Sequence, residues 1–209
     1  MRNKRLLAIL SIMIYMIFTV ITFMYVKQAS RNWYRKVEIT NYTFEISYPR
    51  SYEDIKKEET NIDNISSKIT TTITEIEKDT EVSMNFVEEL VHAKSDISGM
   101  TMLIEGIKKE KSPKSIEEIC KDYITMFKVF NESLTVLTSN YEQTTIDGKD
   151  VGKVKIIVEG KTEGINAGMI SYLIPLDDRE ITIAFTGTEE MFNINSKEID
   201  KIINSVKLH

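Results

Sequence analysis

The chain has 209 residues, with 27 basic and 32 acidic side chains, two histidines and one cysteine. This length predicts one domain that is large enough to bury a core, and a single cysteine leaves no internal disulfide. The formal net charge of -5 argues against nucleic acid as a partner, because phosphate binding needs the opposite sign.

The most distinctive feature is the stretch from Leu6 to Val26, which contains no charged side chain. At about 1.5 Å per residue, a helix of this length covers roughly the 30 Å hydrocarbon core of a bilayer. It is apolar all round rather than along one stripe, so it predicts a transmembrane helix and not a buried core helix. We expect this helix to anchor the chain in membrane lipid through residues that include Leu6, Ile14, Phe18 and Val26.

A cleavable signal peptide is the alternative for this stretch. Signal peptides have an apolar region of about 7 to 15 residues and an A-x-A-like cleavage site. Here the apolar region is longer. The only plausible cleavage site lies between Ala29 and Ser30, and it puts a charged residue, Lys27, at the minus-three position. A lipoprotein would need a cysteine just after the apolar region, whereas the only cysteine is Cys120. The sequence therefore favours an uncleaved signal-anchor.

Orientation is predicted less directly, because the basic residues on the two sides of the apolar stretch nearly balance. The short basic tail at residues 1–5 is typical of signal-anchors, and long domains translocate largely regardless of flanking charge. We therefore expect a single-pass protein of the cell membrane with its domain on the extracytoplasmic side. Trp33 and Tyr34 are predicted at the membrane interface, with packing at the domain's edge as the alternative.

The rest of the chain divides into a basic linker at residues 27–41 and a domain at residues 42–209. Thr43 to Tyr48 alternates apolar and polar residues and predicts a strand, and Met100 to Lys108 predicts another. A helical stripe is formed by Ile62, Ile65, Ile69, Ile73 and Ile76. Glu81 to His92 is compatible with either a strand or a helix. Ser115 and Glu118 form a capping-box pattern at the start of an amphipathic helix.

The second half of the domain predicts four strands and a final helix. Asp147-Gly148 is a hairpin signal between two of the strands. Ala167 to Ile174 is apolar on both faces, as expected of a central strand. A turn at Asp177 and Asp178 precedes the last strand, and Asn195 or Ser196 is expected to cap the final helix. This order predicts an α+β domain in which an antiparallel sheet is flanked by helices on both faces.

Several local motifs support one family resemblance. They are Phe44-x-Ile46-x-Tyr48-Pro49-x-x-Tyr52, an S-P-x-S helix start, an I-D-G-K hairpin, a tyrosine-bearing strand and a closing I-x-x-I-I-x-S-V-K helix. Together they resemble the PsbP-like family over about residues 42 to 208, although Tyr52 stands where members often carry Trp. The resemblance implies a fold shared with an extrinsic photosystem II subunit and a Ran-binding nuclear transport factor. It also implies binding to another molecule rather than a particular chemistry.

Few residues suggest catalysis or cofactor binding. A zinc site or a Ser-His-Asp triad would depend on His92, and Cys120 lies on the apolar face of its helix as an inert thiol. We expect no cofactor, and we expect a non-catalytic domain that binds a protein or cell-envelope partner, with a contact surface between Tyr52 and Gly99. The alternative is a membrane-tethered hydrolase whose site is not visible in the sequence.

Overall fold

The computed structural model describes residues 16, 19–22, 24, 33–55, 87–108, 114–160, 162 and 164–209. Leu6 to Val26 lies outside these residues except for positions 16, 19–22 and 24, which are helical and exposed. No helix among the described residues is both long and apolar enough to span a bilayer. The predicted Ile62 to Ile76 helix, and residues 81–86 of the ambiguous segment, also lie outside the described residues.

The domain is built on two antiparallel sheets. The small sheet has the order β1-β2-β10 and consists of β1 (Tyr34–Ile39), β2 (Phe44–Pro49) and β10 (Lys207–Leu208). The large sheet has the order β3-β4-β5-β9-β8-β7-β6. Its strands are β3 (Tyr52–Asp54), β4 (Val87–Ser95), β5 (Thr101–Lys108), β6 (Val136–Ile146), β7 (Lys149–Val158), β8 (Ala167–Pro175) and β9 (Arg179–Thr188). Among the described residues of the domain, two α-helices, α1 (Ile116–Phe130) and α2 (Glu189–Asn204), complete it, and a short 3-10 helix (Thr40–Tyr42) joins β1 to β2.

The predicted hairpin and the predicted central strand are both confirmed. Asp147 and Gly148 have φ angles of 49° and 79°, and two positive φ angles are what a type I′ turn between twisted strands requires. The turn joins β6 to β7. β8 lies between β7 and β9, and its second half, Ser171 to Ile174, is buried on both faces, as its apolar sequence indicated.

Helix α1 packs on one face of the large sheet. It begins as predicted, because the Glu118 amide donates to Ser115 Oγ at 3.2 Å and the Ser115 amide donates to Glu118 Oε2 at 2.8 Å. Its apolar stripe meets β7 and β8, and Cys120 is fully buried there. The buried members of this cluster are Ile119, Cys120, Val154, Ile156, Val158 and Leu173.

Helix α2 and the small sheet cover the opposite face. Ile199 and Ile202 of α2 share a cluster with Phe44 and Ile46 of β2 and with Ile183 of β9. The helices therefore flank the large sheet on both faces, as predicted. The C-terminal β10 pairs with the start of β2, so that the end of the chain closes this core.

Two boundaries differ from the sequence-based expectation. The predicted start of the last helix at Asn195 or Ser196 is wrong, since α2 begins at Glu189 and is capped by Thr188, whose Oγ1 accepts from the Met191 amide at 3.2 Å. Asn195 is instead buried inside the helix, where its side-chain amide donates to the Met191 carbonyl at 2.8 Å. In addition, β1 occupies part of the segment expected to be linker, so the folded domain includes Tyr34–Ile39.

Candidate functional site

Two rows of side chains cross the α1 face of the large sheet. Residues paired in register project to the same face, so the strand pairings place each row. The first row runs through Leu173, Thr182, Glu105 and Glu89. The second runs through Ser171, Ala184, Leu103 and His92. At the β4 end of the two rows, the carboxylates of Glu89 and Glu105 and the imidazole of His92 occupy neighbouring positions on β4 and β5.

Glu105 is the most perturbed acid of this group. It lies directly opposite Glu89 in the β4–β5 pairing, and like charges in that position repel. Burial is the main cause that raises the pKa of Glu105, and the negative charge of Glu89 adds to it. The carboxyl of Glu105 therefore holds a proton to higher pH than an ordinary glutamate does. His92 Nδ1 lies 3.7 Å from Glu89 Oε2, close enough for an ion pair when the imidazole is protonated.

Tyr123 and Cys120 of helix α1 pack over this same face of the sheet. Tyr123 and Ser171 share a hydrogen bond of 2.9 Å between their hydroxyl oxygens. Burial raises the pKa of Tyr123, and the charges of Glu105 and Glu180 add to this effect. Burial also raises the pKa of the Cys120 thiol, which keeps the sulfur protonated and unreactive.

A second polar cluster lies between the small sheet and β3. Arg35 Nη2 contacts Asp54 Oδ1 at 2.6 Å, and its guanidinium carbon lies 4.6 Å from the centroid of the Tyr48 ring. The Tyr52 hydroxyl donates to Glu198 Oε1 at 3.3 Å, and burial is the main cause that raises the pKa of Tyr52. Tyr48 and Tyr52 pack edge to face with centroids 6.1 Å apart. Tyr52, the position where the resembled family often carries Trp, is thus a core residue.

Two shallow surface cavities lie away from Glu105 and His92. One, of about 300 Å³, is lined by Ile97 and Ser98 from the β4–β5 turn and by the first turns of α2, including Glu190 and Ile194. The other, of about 380 Å³, lies by the C-terminal His209 and is lined by Glu38 and Glu45 among others. Both are open to solvent.

The predicted site residues lie in different places. Leu6, Ile14, Phe18 and Val26 fall outside the described residues. Trp33 is 57% exposed at the start of the domain, while Tyr34 opens β1 and packs at the edge of the core. His92 lies beside the carboxylates on β4, with a side chain only 14% exposed. These positions do not test the predicted membrane-interface role.

The placement of Glu105 opposite Glu89 favours a carboxyl group that keeps its proton over a pair of carboxylates that binds a metal ion. In the described ranges, no group of three or more His, Cys, Asp or Glu side chains is arranged to hold a metal ion. Sequence reasoning missed Glu105. The available signal was that β5 carries apolar residues on both of its faces, Met102 and Ile104 on one and Leu103 and Ile107 on the other, which indicates a strand covered on both sides.

Comparison with solved structures identifies the fold. The solution structure of cyanobacterial PsbP (CyanoP) from Synechocystis sp. PCC 6803 is 11% identical, covers 84% of this chain and 92% of that chain, and has a TM-score of 0.56. A crystal structure from Bacteroides thetaiotaomicron VPI-5482 is 12% identical with a TM-score of 0.47, and the match spans 84% of this chain but 48% of that one. No family model and no curated protein matches the sequence. The chain therefore has a PsbP-like fold over most of its length.

Proposed function

We propose that this protein is a membrane-tethered, extracytoplasmic interaction domain that catalyses nothing and binds an extended segment of a partner protein. Leu6 to Val26 supports the tether, because its length and lack of charge suit a bilayer-spanning helix. The observation that carries the binding role is the open edge of the large sheet at β6. Strand β6 has eleven residues, and among the described strands it pairs with β7 alone.

An edge strand offers a row of backbone donors and acceptors to any extended chain beside it. Natural edges are usually protected by short length, proline or charge. β6 is long, contains no proline and carries one charge, that of Glu142, whose carboxylate is paired with Lys153 at 2.7 Å. Tyr141, midway along the same strand, is exposed and offers apolar contact to a partner.

The charge of the domain narrows the kind of partner. Beyond Val26 the chain keeps 24 basic and 32 acidic residues, so its field favours a segment with basic side chains. Backbone pairing along β6 supplies affinity, and side-chain contacts supply selectivity. The expected partner is thus an extended, basic and partly apolar segment of another protein at the membrane surface.

Site-specific photo-crosslinking in intact cells tests this proposal. A photoreactive phenylalanine analogue replaces Gln143 on β6, and as a control it replaces Asn193, an exposed residue of α2. We expect a discrete crosslinked protein from position 143 that is lost in Thr138→Lys/Asn140→Lys, because added lysines block edge pairing without touching the core. An undiminished crosslink in the double variant refutes β6 as the binding edge.

The orientation has its own test. Protease added to intact protoplasts is expected to digest the domain and spare the anchor, since the proposal places the domain outside the cytoplasm. Protection of the whole chain would reverse the proposed orientation. Release of the intact chain from membranes by high salt or alkaline carbonate would refute the tether itself.

A membrane-tethered hydrolase is the second candidate, and the observation that favours it is the raised pKa of Glu105 beside Glu89 and His92. A carboxyl group that holds its proton at higher pH is suited to general acid catalysis. If the purified chain hydrolyses a substrate and loses that activity in Glu105→Gln and His92→Ala but not in Glu118→Gln, the hydrolase replaces the interaction domain.

A further inference from the structure

The exposed apolar side chains of the domain are concentrated at one end. Among its described residues, seven large apolar side chains are exposed. Tyr141 lies midway along β6. The other six are Trp33, Met126, Val129, Leu137, Ile165 and Ile194. They come from the start of β1, the last two turns of α1, the start of β6, the loop before β8 and the second turn of α2. We call this surface the Trp33 end.

Backbone hydrogen bonds join the loops of the Trp33 end to one another. The Arg50 amide donates to the Trp33 carbonyl at 2.6 Å, and the Asp96 amide donates to the Ser51 carbonyl at 3.0 Å. The β4–β5 turn then shares a cavity with the start of α2. The remaining loops are joined by the bonds from the Glu189 amide to the Asn166 carbonyl at 3.0 Å and from the Glu159 amide to the Thr135 carbonyl at 2.9 Å. The six side chains therefore stand on helices, strands and loops that these bonds hold together at one end of the domain.

Among the described residues, the opposite end of the domain carries a polar cluster. Asp147 of the β6–β7 turn accepts from the Leu208 amide at 2.9 Å and from Lys207 Nζ at 2.8 Å, and the His209 amide donates to the Thr43 carbonyl at 2.8 Å. None of the seven exposed apolar side chains lies there. Within the described residues, the exposed large apolar side chains are therefore distributed unevenly along the strand axis.

The position of the Trp33 end in the chain identifies its occupant. Only residues 27–32 separate Trp33 from the apolar stretch that ends at Val26. Six residues reach at most about 20 Å when fully extended, so an anchor in the bilayer holds this end within that distance of the membrane surface. Tryptophan and large aliphatic side chains are stable at the boundary between headgroups and acyl chains.

We propose that the Trp33 end lies against the bilayer and inserts its exposed apolar side chains at the interface. The anchor then fixes the distance of the domain, and the Trp33 end fixes its tilt. The large sheet stands upright on the membrane, with the β6–β7 turn farthest away. This inference rests on the proposed membrane tether and adds to it a second, independent attachment.

Tryptophan fluorescence of the full chain in vesicles tests the proposal, because Trp33 is the only tryptophan. In a Trp33→Phe background, Ile165→Trp and Ile194→Trp place probes at the Trp33 end, and Lys149→Trp places a control by the β6–β7 turn. The vesicles contain phosphatidylcholine with brominated acyl chains, which quench a nearby indole. We expect quenching of both probes at least about twofold stronger than that of the control, since interfacial side chains lie about 5–10 Å into the boundary region.

The outcomes separate the docking from the tether. If Trp33 of the native chain is quenched while the probes at 165 and 194 match the control and stay open to aqueous iodide, the tether stands and the docking is refuted. Such a result would leave the Trp33 end to a protein partner. If Trp33 is also unquenched and the chain does not float with vesicles, the tether is refuted. Should a tryptophan variant fail to fold, Ile165→Cys with a polarity-sensitive label gives the same readout, since native Cys120 is buried.

Discussion

Gly152 shows how a single residue sets the distance between α1 and the large sheet. A Cβ built at this position would overlap Cys120 Sγ, so glycine is needed for α1 to pack at its observed distance from the sheet. Gly152→Ala is expected to destabilise the chain by about 1 to 3 kcal/mol, the usual effect of overpacking. Urea unfolding of the detergent-solubilised chain measures the change.

A double-mutant cycle distinguishes this clash from a general effect of glycine replacement. In a Cys120→Ala background the sulfur is absent, so Gly152→Ala should be tolerated better than in the native chain. Gly148→Ala is the matched control. Its destabilisation comes from a φ of 79° with no neighbouring atom in the way, so Cys120→Ala should not relieve it. Additive free energies for positions 120 and 152 would contradict the proposed contact.

Glu105 gives a prediction about pH. Its pKa is raised in the folded chain, so ionisation opposes folding from the unfolded pKa of about 4.3 upward and reaches its full effect above the folded pKa. Glu105→Gln should therefore be more stable than the native chain at neutral pH, and the difference should vanish in acid. Unfolding curves collected across this pH range measure it.

Glu118→Gln supplies a control of opposite sign. Hydrogen bonds from the Ser115 backbone and side chain lower the pKa of Glu118, so its stabilising effect is present above the unfolded pKa and is lost as pH falls through the folded pKa. This variant should be less stable than the native chain at neutral pH. If the two variants show the same dependence of stability on pH, then ionisation of Glu105 does not destabilise the folded chain.

The environments of Cys120 and Glu105 differ in how far they could be predicted from the sequence. The burial of Cys120 was predictable because it depends on helical periodicity within one element. The environment of Glu105 depends on Glu89, which lies on another strand. Their register includes a β-bulge between Glu89 and Val91, and one sequence does not show which residue a bulge adds.

At the scale of elements, the start of α2 yields the clearest prediction. Thr188 is both the last residue of β9 and the N-cap of α2. Glu189 and Glu190 lie in the first turn of this helix. Thr188→Ala should destabilise the chain by about 0.5 to 2 kcal/mol, because the Met191 amide loses its acceptor. Ser196→Ala, at the start predicted from sequence, should change stability by less than about 0.5 kcal/mol. Comparable losses in both variants would contradict the observed start of the helix.

Elements were predictable where one periodicity covered the whole segment. The strands near the Asp147-Gly148 turn and the helix after Ser115 are examples. The start of α2 was not predictable in this way, because Thr188 continues the alternation of β9 and Asn195-Ser196 looks like a cap of its own. Short β1 was missed because its Arg35 and Lys36 resemble a basic linker.

At the scale of the whole molecule, the order of elements and a few residue motifs together predicted the fold. The α+β class was predictable from that order, and the PsbP-like fold was expected from a family resemblance that also used motifs such as Phe44-x-Ile46-x-Tyr48-Pro49, although the similar cyanobacterial structure is only 11% identical. The candidate site was not predictable, because its rows of side chains join β4, β5, β8 and β9 only after the sheet has formed. A shared fold does not transfer a function, so the partner has to be established by contact experiments.

The last prediction concerns where the folding unit begins. A chain starting at Trp33 should unfold cooperatively without detergent, because it keeps all of β1 and the bond between the Arg50 amide and the Trp33 carbonyl. A chain starting at Val37 lacks the paired residues Tyr34 and Arg35, and with Arg35 it loses the 2.6 Å contact to Asp54 and the contact with the Tyr48 ring. It should therefore unfold at lower urea concentration, as monitored by circular dichroism. Equal midpoints would place the boundary of the folding unit after β1, and loss of cooperative unfolding in the Trp33 chain would show that residues before Trp33 belong to that unit.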